Sequence, residues 1–113
     1  MIDEYHFGSI TINGKTFEND VIVRGDKLIN DSWWRDEGHN IAIKDLKDLP
    51  EKFDTLVIGN GASGACQVPD KTIDFVKNKG VTVIAQMTGE AVITYNKLLS
   101  EGKDVIGAFH LTC

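Results

Sequence analysis

The stretch Asp54-Thr-Leu-Val-Ile-Gly-Asn-Gly-Ala-Ser-Gly-Ala-Cys66 decides the fold of this chain. Leu56-Val57-Ile58 is an unbroken apolar run of the kind that fills a strand buried on both faces. The glycines behind it let the backbone reverse sharply and leave amide N–H groups free to face a ligand. Helix-forming residues follow from Pro69. A strand, a tight turn and a helix in that order place a binding crevice at the carboxyl ends of an α/β sheet.

Working outward toward the C-terminus, the elements alternate. Strand 55–58 leads to a helix over 69–79, with Pro69 in its first turn and Gly80 ending it. Strand 81–85 follows. The second helix, over 89–100, takes Thr88 as its N-cap; Ala91 at the third helical position leaves it without a capping box. Val92, Tyr95, Leu98 and Leu99 repeat at the 3.6-residue period of an apolar stripe. Gly102 closes that helix, and a last strand runs over 104–112. The β-α-β-α-β order predicts right-handed crossovers and at least three parallel strands.

Toward the N-terminus the pattern is β. Residues 5–12 read as one alternating strand, weakened at Gly8. Asn13-Gly14 is the signature of a type I′ hairpin turn. The returning arm runs from Lys15 to about Arg24, and Lys27-Leu28-Ile29 forms one more short strand after Gly25-Asp26. This antiparallel hairpin extends the sheet or covers one end of it. Asn30 to Asn40 is polar and irregular. Trp33 and Trp34, as neighbours on an extended backbone, face opposite ways. Ile41-Ala42-Ile43 leads into a short helix over 44–49, stopped by Pro50.

At 113 residues, 42% apolar and 26% charged, the chain is one ordinary globular α/β domain, residues 1–113. No apolar run approaches the roughly 20 residues of a membrane span. Met1 to His6 has neither a basic region nor an apolar signal core, so the expected compartment is the cytoplasm. A net charge of −5 disfavours nucleic acid, whose binding is led by phosphate neutralisation. The two cysteines, Cys66 and Cys113, are expected as free thiols of a reducing compartment.

Several residues offer chemistry. Gly59-x-Gly61-x-x-Gly64 matches a dinucleotide fingerprint letter by letter. The helix starts too late for the third glycine, however, and strand 81–85 ends in Gln86 and Met87 where an acidic ribose ligand belongs. A smaller anion or polar ligand held by Gly59, Asn60 and Gly61 stays open beside a purely structural turn. His110 and Cys113 lie three apart on a strand and so on opposite faces; no metal is expected there, since a tetrahedral site takes three or four protein ligands. A nucleophilic cysteine needs a base, for which His6, His39 and His110 are the candidates. Cys66, after the turn and near a helix start, is the better reactive thiol, though small buried cysteines are commoner. The Trp33-Trp34-Arg35 loop, with His39, offers a partner-binding or lid segment, or a cover for the sheet edge. Asn96, a weak helix former in mid-helix, offers donors and an acceptor to a pocket.

Taken together, Val57-Ile-Gly-Asn-Gly61, Val68-Pro69, Met87-Thr-Gly-Glu-Ala91, Thr94-Tyr-Asn-Lys-Leu98, Glu101-Gly102-Lys103 and Phe109-His-Leu-Thr-Cys113 resemble one family of small single-domain proteins. That family includes an adipogenesis-associated vertebrate protein and, more distantly, a mitochondrial complex I assembly factor. The ending and the Trp-containing loop before Gly38-His39 are most similar to the adipogenesis-associated type. The resemblance implies a three-layer α/β domain around a mixed sheet with an antiparallel N-terminal portion. It implies no catalytic residues and no cofactor. The expectation is therefore a non-catalytic binding or assembly module for a protein partner or small polar ligand. Its candidate residues are Gly59, Asn60, Gly61, Arg35, His39, Asn96 and His110. The competing expectation is a small enzyme or anion-binding protein with its site at Gly59–Gly64. The hairpin edge also offers a route to a homodimer.

Overall fold

A computed structural model describes residues 1–113. Strands β1 (Ile2–His6), β2 (Ser9–Ile12) and β3 (Lys15–Phe17) form a small antiparallel sheet in that order. Strands β4 (Val21–Arg24), β5 (Lys27–Asn30), β6 (Thr55–Asn60), β7 (Thr82–Gln86) and β8 (Val105–His110) form a five-stranded sheet of order β5-β4-β8-β6-β7. Two helices, α1 (Asp70–Lys77) and α2 (Thr88–Ser100), pack on it, with a 3-10 turn at Ile43–Leu46. The expected three-layer α/β architecture is the one observed.

The N-terminal third differs from its sequence reading in two respects. Gly8 takes φ +85° and folds residues 5–12 back on themselves, so β1 and β2 pair with each other, His6 opposite Ser9. Asn13 (φ 50°) and Gly14 (φ 83°) make the expected two-residue turn into β3. The returning arm is likewise two strands. Between Phe17 and Val21 the chain leaves the small sheet and enters the large one as β4.

Strands β7, β6 and β8 are parallel neighbours, and β4 joins β8 antiparallel. The path from β6 to β7 and the path from β7 back across β6 to β8 run in opposite directions along the sheet. Right-handed crossovers then put α1 and α2 on opposite faces, which is why there are three layers.

Alternation along the strands sorts the core. Val21, Val23, Val57, Val105 and Phe109 face α2 and the small sheet, where Ile2, Ile10, Ala91 and Tyr95 meet them. Ile22, Leu56, Ile58, Ile106 and Ala108 face Trp33, Ile41, Leu46 and Val76 on the other side. Each of these large side chains, fully buried, contributes roughly 1.5–3 kcal/mol. The same alternation assigns Asp20, Asn60 and His110 to the second face. Asn60 pairs with His110 across β6 and β8. Asp20 lies one step beyond the Val21–Phe109 pair of β4 and β8. Three polar residues thus line up across the strand ends where the apolar core stops.

Candidate functional site

Two members of the row, Asp20 and His110, are covered by the loop that carries both tryptophans. Trp33 is 3% exposed and Trp34 is 79% exposed, the opposed orientation expected of extended neighbours. Trp33 donates its backbone N–H to Asp20 O at 2.8 Å and its indole Nε1–H to Asp45 O at 2.8 Å. Its ring then serves as a floor for Arg35, whose guanidinium carbon stands 4.8 Å from the ring centroid. The Arg35 side chain is only 5% exposed.

Asp20 is the hub. Its Oδ2 lies 2.7 Å from His110 Nδ1 and 2.8 Å from Arg35 Nη1, while Oδ1 accepts the Leu111 N–H at 2.8 Å. Burial pushes the Asp20 carboxyl up, but the hydrogen bonds from His110 and Leu111 and the adjoining Arg35 guanidinium outweigh it and hold the carboxyl below its ordinary value. Arg35 Nη2 also comes within 2.9 Å of His110 Nδ1. One ring nitrogen cannot donate to Asp20 and accept from Arg35 together. Beside an ionised carboxylate at 2.7 Å the proton belongs on Nδ1, donated to Asp20. That leaves the Nε2 lone pair toward Thr112 Oγ1, at 3.4 Å. Arg35 Nη2 is then met by Gly38 O at 3.3 Å. Arg35 Nη1 is in ion-pair range of Asp20 but off the N–H axis, and Arg35 Nε has no partner.

Above this floor is a recess of about 330 Å³ lined by Trp34, Arg35, His39, His110 and Thr112, with Glu18 at its edge. The structure therefore brings together three of the sequence-derived site residues: Arg35, His39 and His110. Asp20, which completes the site, was missed. Its signal is the alternation Asp20-Val21-Ile22, which puts Asp20 on the face of Ile22, but its partner is 90 residues away.

The glycine turn is not the free cradle that its sequence suggests. Gly61 N–H donates to Thr88 Oγ1 at 2.9 Å and Ala62 N–H to Thr112 O at 2.7 Å. The amides of Gly64, Ala65 and Cys66 donate to Gly61 O, Cys113 O and Asn60 O. The segment Thr112–Cys113 fills the hollow of the turn, and Gly61, at φ +108°, packs so closely that a Cβ there would overlap the Cys113 backbone. Gly59 is equally packed, with a Cβ position 2.8 Å from Thr88 Oγ1 and 3.0 Å from the Phe109 ring. Both glycines serve packing here. Asn60 opens instead onto a shallow recess beside Pro69 and Ile73, with its Oδ1 unpaired.

Thr88 corrects a further expectation. It is the first residue of α2 rather than its N-cap, which is Met87. Its buried hydroxyl donates to His110 O at 2.6 Å and accepts from Gly61 N–H, tying helix, turn and strand together. Asn96 lies away from the recess. It accepts Ile2 N–H at 2.9 Å and donates to Ile2 O at 2.8 Å, clamping β1 to α2, so its place in mid-helix is structural. Cys66 is buried, and that burial raises its thiol pKa, with Asp20 and Asp45 adding to the rise against Arg35. Cys113 is exposed, its Sγ 3.8 Å from His39 Nε2. No three His, Cys, Asp or Glu side chains converge as a metal set.

A mixed five-stranded sheet between two helical layers, capped by a small antiparallel sheet and ending in a polar recess, defines a small three-layer α/β domain. The chain belongs to the family described as "Protein of unknown function (DUF498/DUF598)", which matches residues 2–110. The conserved hypothetical protein PH1505 of Pyrococcus horikoshii OT3 is similar over all of this chain and 99% of its own, at 25% identity and a TM-score of 0.82. The protein MT938 is similar at 25% identity and a TM-score of 0.77, over 100% of this chain and 98% of its own. A Mth938-like domain of Bordetella pertussis shares the fold at 19% identity and a TM-score of 0.78, covering 98% of this chain and 85% of its own. No helix is long and apolar enough to cross a membrane.

Proposed function

We propose that this protein is a non-catalytic binding module of the cytoplasm whose recess, bounded by Trp34, Arg35, His39 and His110, receives a group from a protein partner or a small polar ligand. One observation carries the reading: a tryptophan left 79% exposed on a segment that Trp33 pins from below. Exposed tryptophan on a rigid support contributes disproportionately to interfaces, because little freedom is lost on binding. The Trp loop and Phe109-His-Leu-Thr-Cys113 resemble the adipogenesis-associated type, and the assembly factor more distantly related to it supports a partner in place of a substrate. A second copy could pair along β3, although its three residues and exposed Lys15 guard that edge.

The test is a photo-activatable phenylalanine analogue placed at position 34 in cells that make the protein, with position 93 on α2, also well exposed, as control. A discrete adduct at 34 and none at 93 is the expected result. Equal, diffuse labelling at both positions would remove the basis for the proposal.

A second reading rests on the Asp20–His110 pair. A carboxylate that fixes Nδ1–H leaves Nε2 as a proton acceptor beside Thr112, a lining residue of the recess, the arrangement a small enzyme uses for general-base chemistry. The expected signature is a His110→Gln variant that folds normally yet loses turnover of whichever small molecule is found to protect the recess. Retained turnover in that variant would dismiss it.

A further inference from the structure

Trp34 stands between two recesses, the 330 Å³ hollow over His110 and a second of about 460 Å³ lined by Asp36, Lys44, Asp45, Lys47 and Asp48. Two cations of this surface are already spoken for, Arg35 by Asp20 and Lys44 by Asp36 at 2.5 Å. What remains around the indole is Glu18, Asp45 and Asp48 against Lys47. Asp45 spends one oxygen on Ala42 N–H and Asp48 one on Asn30, and Glu18 faces the first recess with no protein partner. The field at Trp34 is therefore negative, within a chain of net charge −5. An anionic group is repelled there. A cation gains twice, from the carboxylates and from the electron-rich face of the indole, which attracts Arg or Lys more strongly than any other side-chain ring.

The support is also preorganised. Trp33 N–H is held by Asp20 O, Ser32 N–H by Asn30 Oδ1 and Arg35 by Gly38 O, so the backbone that presents Trp34 is already ordered and only its side chain is left to be fixed on binding. Resting on the binding-module reading above, we infer that Trp34 docks a cationic side chain, arginine or lysine, of a partner protein, with the guanidinium or ammonium on the indole face and Glu18 as its counter-charge.

The test uses the whole chain and two fluorescein-labelled, end-capped peptides, Gly-Arg-Gly-Arg-Gly-Arg and the same peptide with Glu in place of Arg, followed by anisotropy. Saturable binding of the arginine peptide alone is expected. Trp34→Ala should weaken it about fivefold, the equivalent of about 1 kcal/mol for one cation–π contact at an exposed site. Glu18→Lys should weaken it by at least as much, and Trp34→Phe should retain part of it. Glu101→Lys, far away at the end of α2, makes the same change of net charge and should leave binding almost unaltered. Equal losses from Glu18→Lys and Glu101→Lys would mean unspecific attraction and overturn the proposal. So would unchanged binding in Trp34→Ala, or a dimer in light scattering that Trp34→Ala dissolves, which would make a second copy the occupant. If adducts form at position 34 but the arginine peptide fails to suppress them, the interface survives and its cationic chemistry falls.

Discussion

Thr88→Val is the substitution that tests most directly how the site is held. Thr88 is fully buried, and valine has nearly its shape, so no cavity opens. What is lost is a hydroxyl that accepts Gly61 N–H at 2.9 Å and donates to His110 O at 2.6 Å. Water cannot replace it at this depth. Each buried group left without a partner costs about 1–3 kcal/mol, so the pair together costs about 2–6 kcal/mol. The lower half of that range, about 3 kcal/mol, is expected because the turn can relax around Gly61. For a domain of this size that lowers Tm by roughly 10–20 °C. Thr88→Ser keeps both bonds and removes one buried methyl, a loss of about 1 kcal/mol. Urea denaturation followed by the fluorescence of buried Trp33 measures both, with m unchanged and only the midpoint moving. Native-state amide exchange at Gly61 should accelerate in the valine variant and not in the serine one. A valine variant within about 0.5 kcal/mol of the wild type, or a serine variant as weak as the valine one, would refute the reasoning, since 0.5 kcal/mol is the range of substitutions that touch nothing.

Three further outcomes follow from the same structure. Asp20→Ala should cost about 3–5 kcal/mol, because it leaves Arg35 buried beside an unpaired His110. Because the folded-state pKa of Asp20 is depressed, its contribution is complete above the ordinary carboxylate range near pH 4 and is lost as pH falls below it; stability against pH should therefore flatten on the acid side in the variant, and an unchanged acid limb would contradict this. The two tyrosines, Tyr5 and Tyr95, should each be less than half ionised at pH 10, where a free phenol is half ionised, and Tyr95 the less of the two, because burial raises both, with Asp20 adding for Tyr5 and Asp26 for Tyr95. A chromogenic disulfide reagent should titrate one thiol in the native protein, the exposed Cys113, and the second, Cys66, only after unfolding; two fast thiols would mean that the core around Cys66 opens.

The alternation of apolar and polar residues sufficed to place the strands and helices, because a strand's period of two and a helix's of 3.6 are local properties. Asn13-Gly14 fixed a hairpin for the same reason, since only residues tolerant of positive φ fit a type I′ turn. Gly8 misled because one glycine is compatible both with a weakened strand and with a turn, and the choice went to the turn, whose Gly8 N–H donates to Leu111 O at 2.9 Å, a contact that no local window contains. Arg35, His39 and His110 were recognisable as polar residues with binding chemistry, whereas Asp20 became their hub only through the antiparallel register of β4 on β8. Asn96 shows the converse. Its misfit in a helix signalled a purpose, but the partner was the backbone of Ile2 and not a ligand.

Residue order by itself determined that this is an α/β fold with parallel strands at its centre, and it determined which residue types could carry a site. Tertiary structure alone decided where that site lies. The glycine turn offers free amides in isolation, but β8 runs on past the sheet and lays Thr112 and Cys113 into its hollow, so the donors are satisfied internally. A contact between positions some fifty residues apart depends on how the sheet is assembled, and no local preference of either segment encodes it. The recess opened one strand over, where β4 begins and β8 ends side by side.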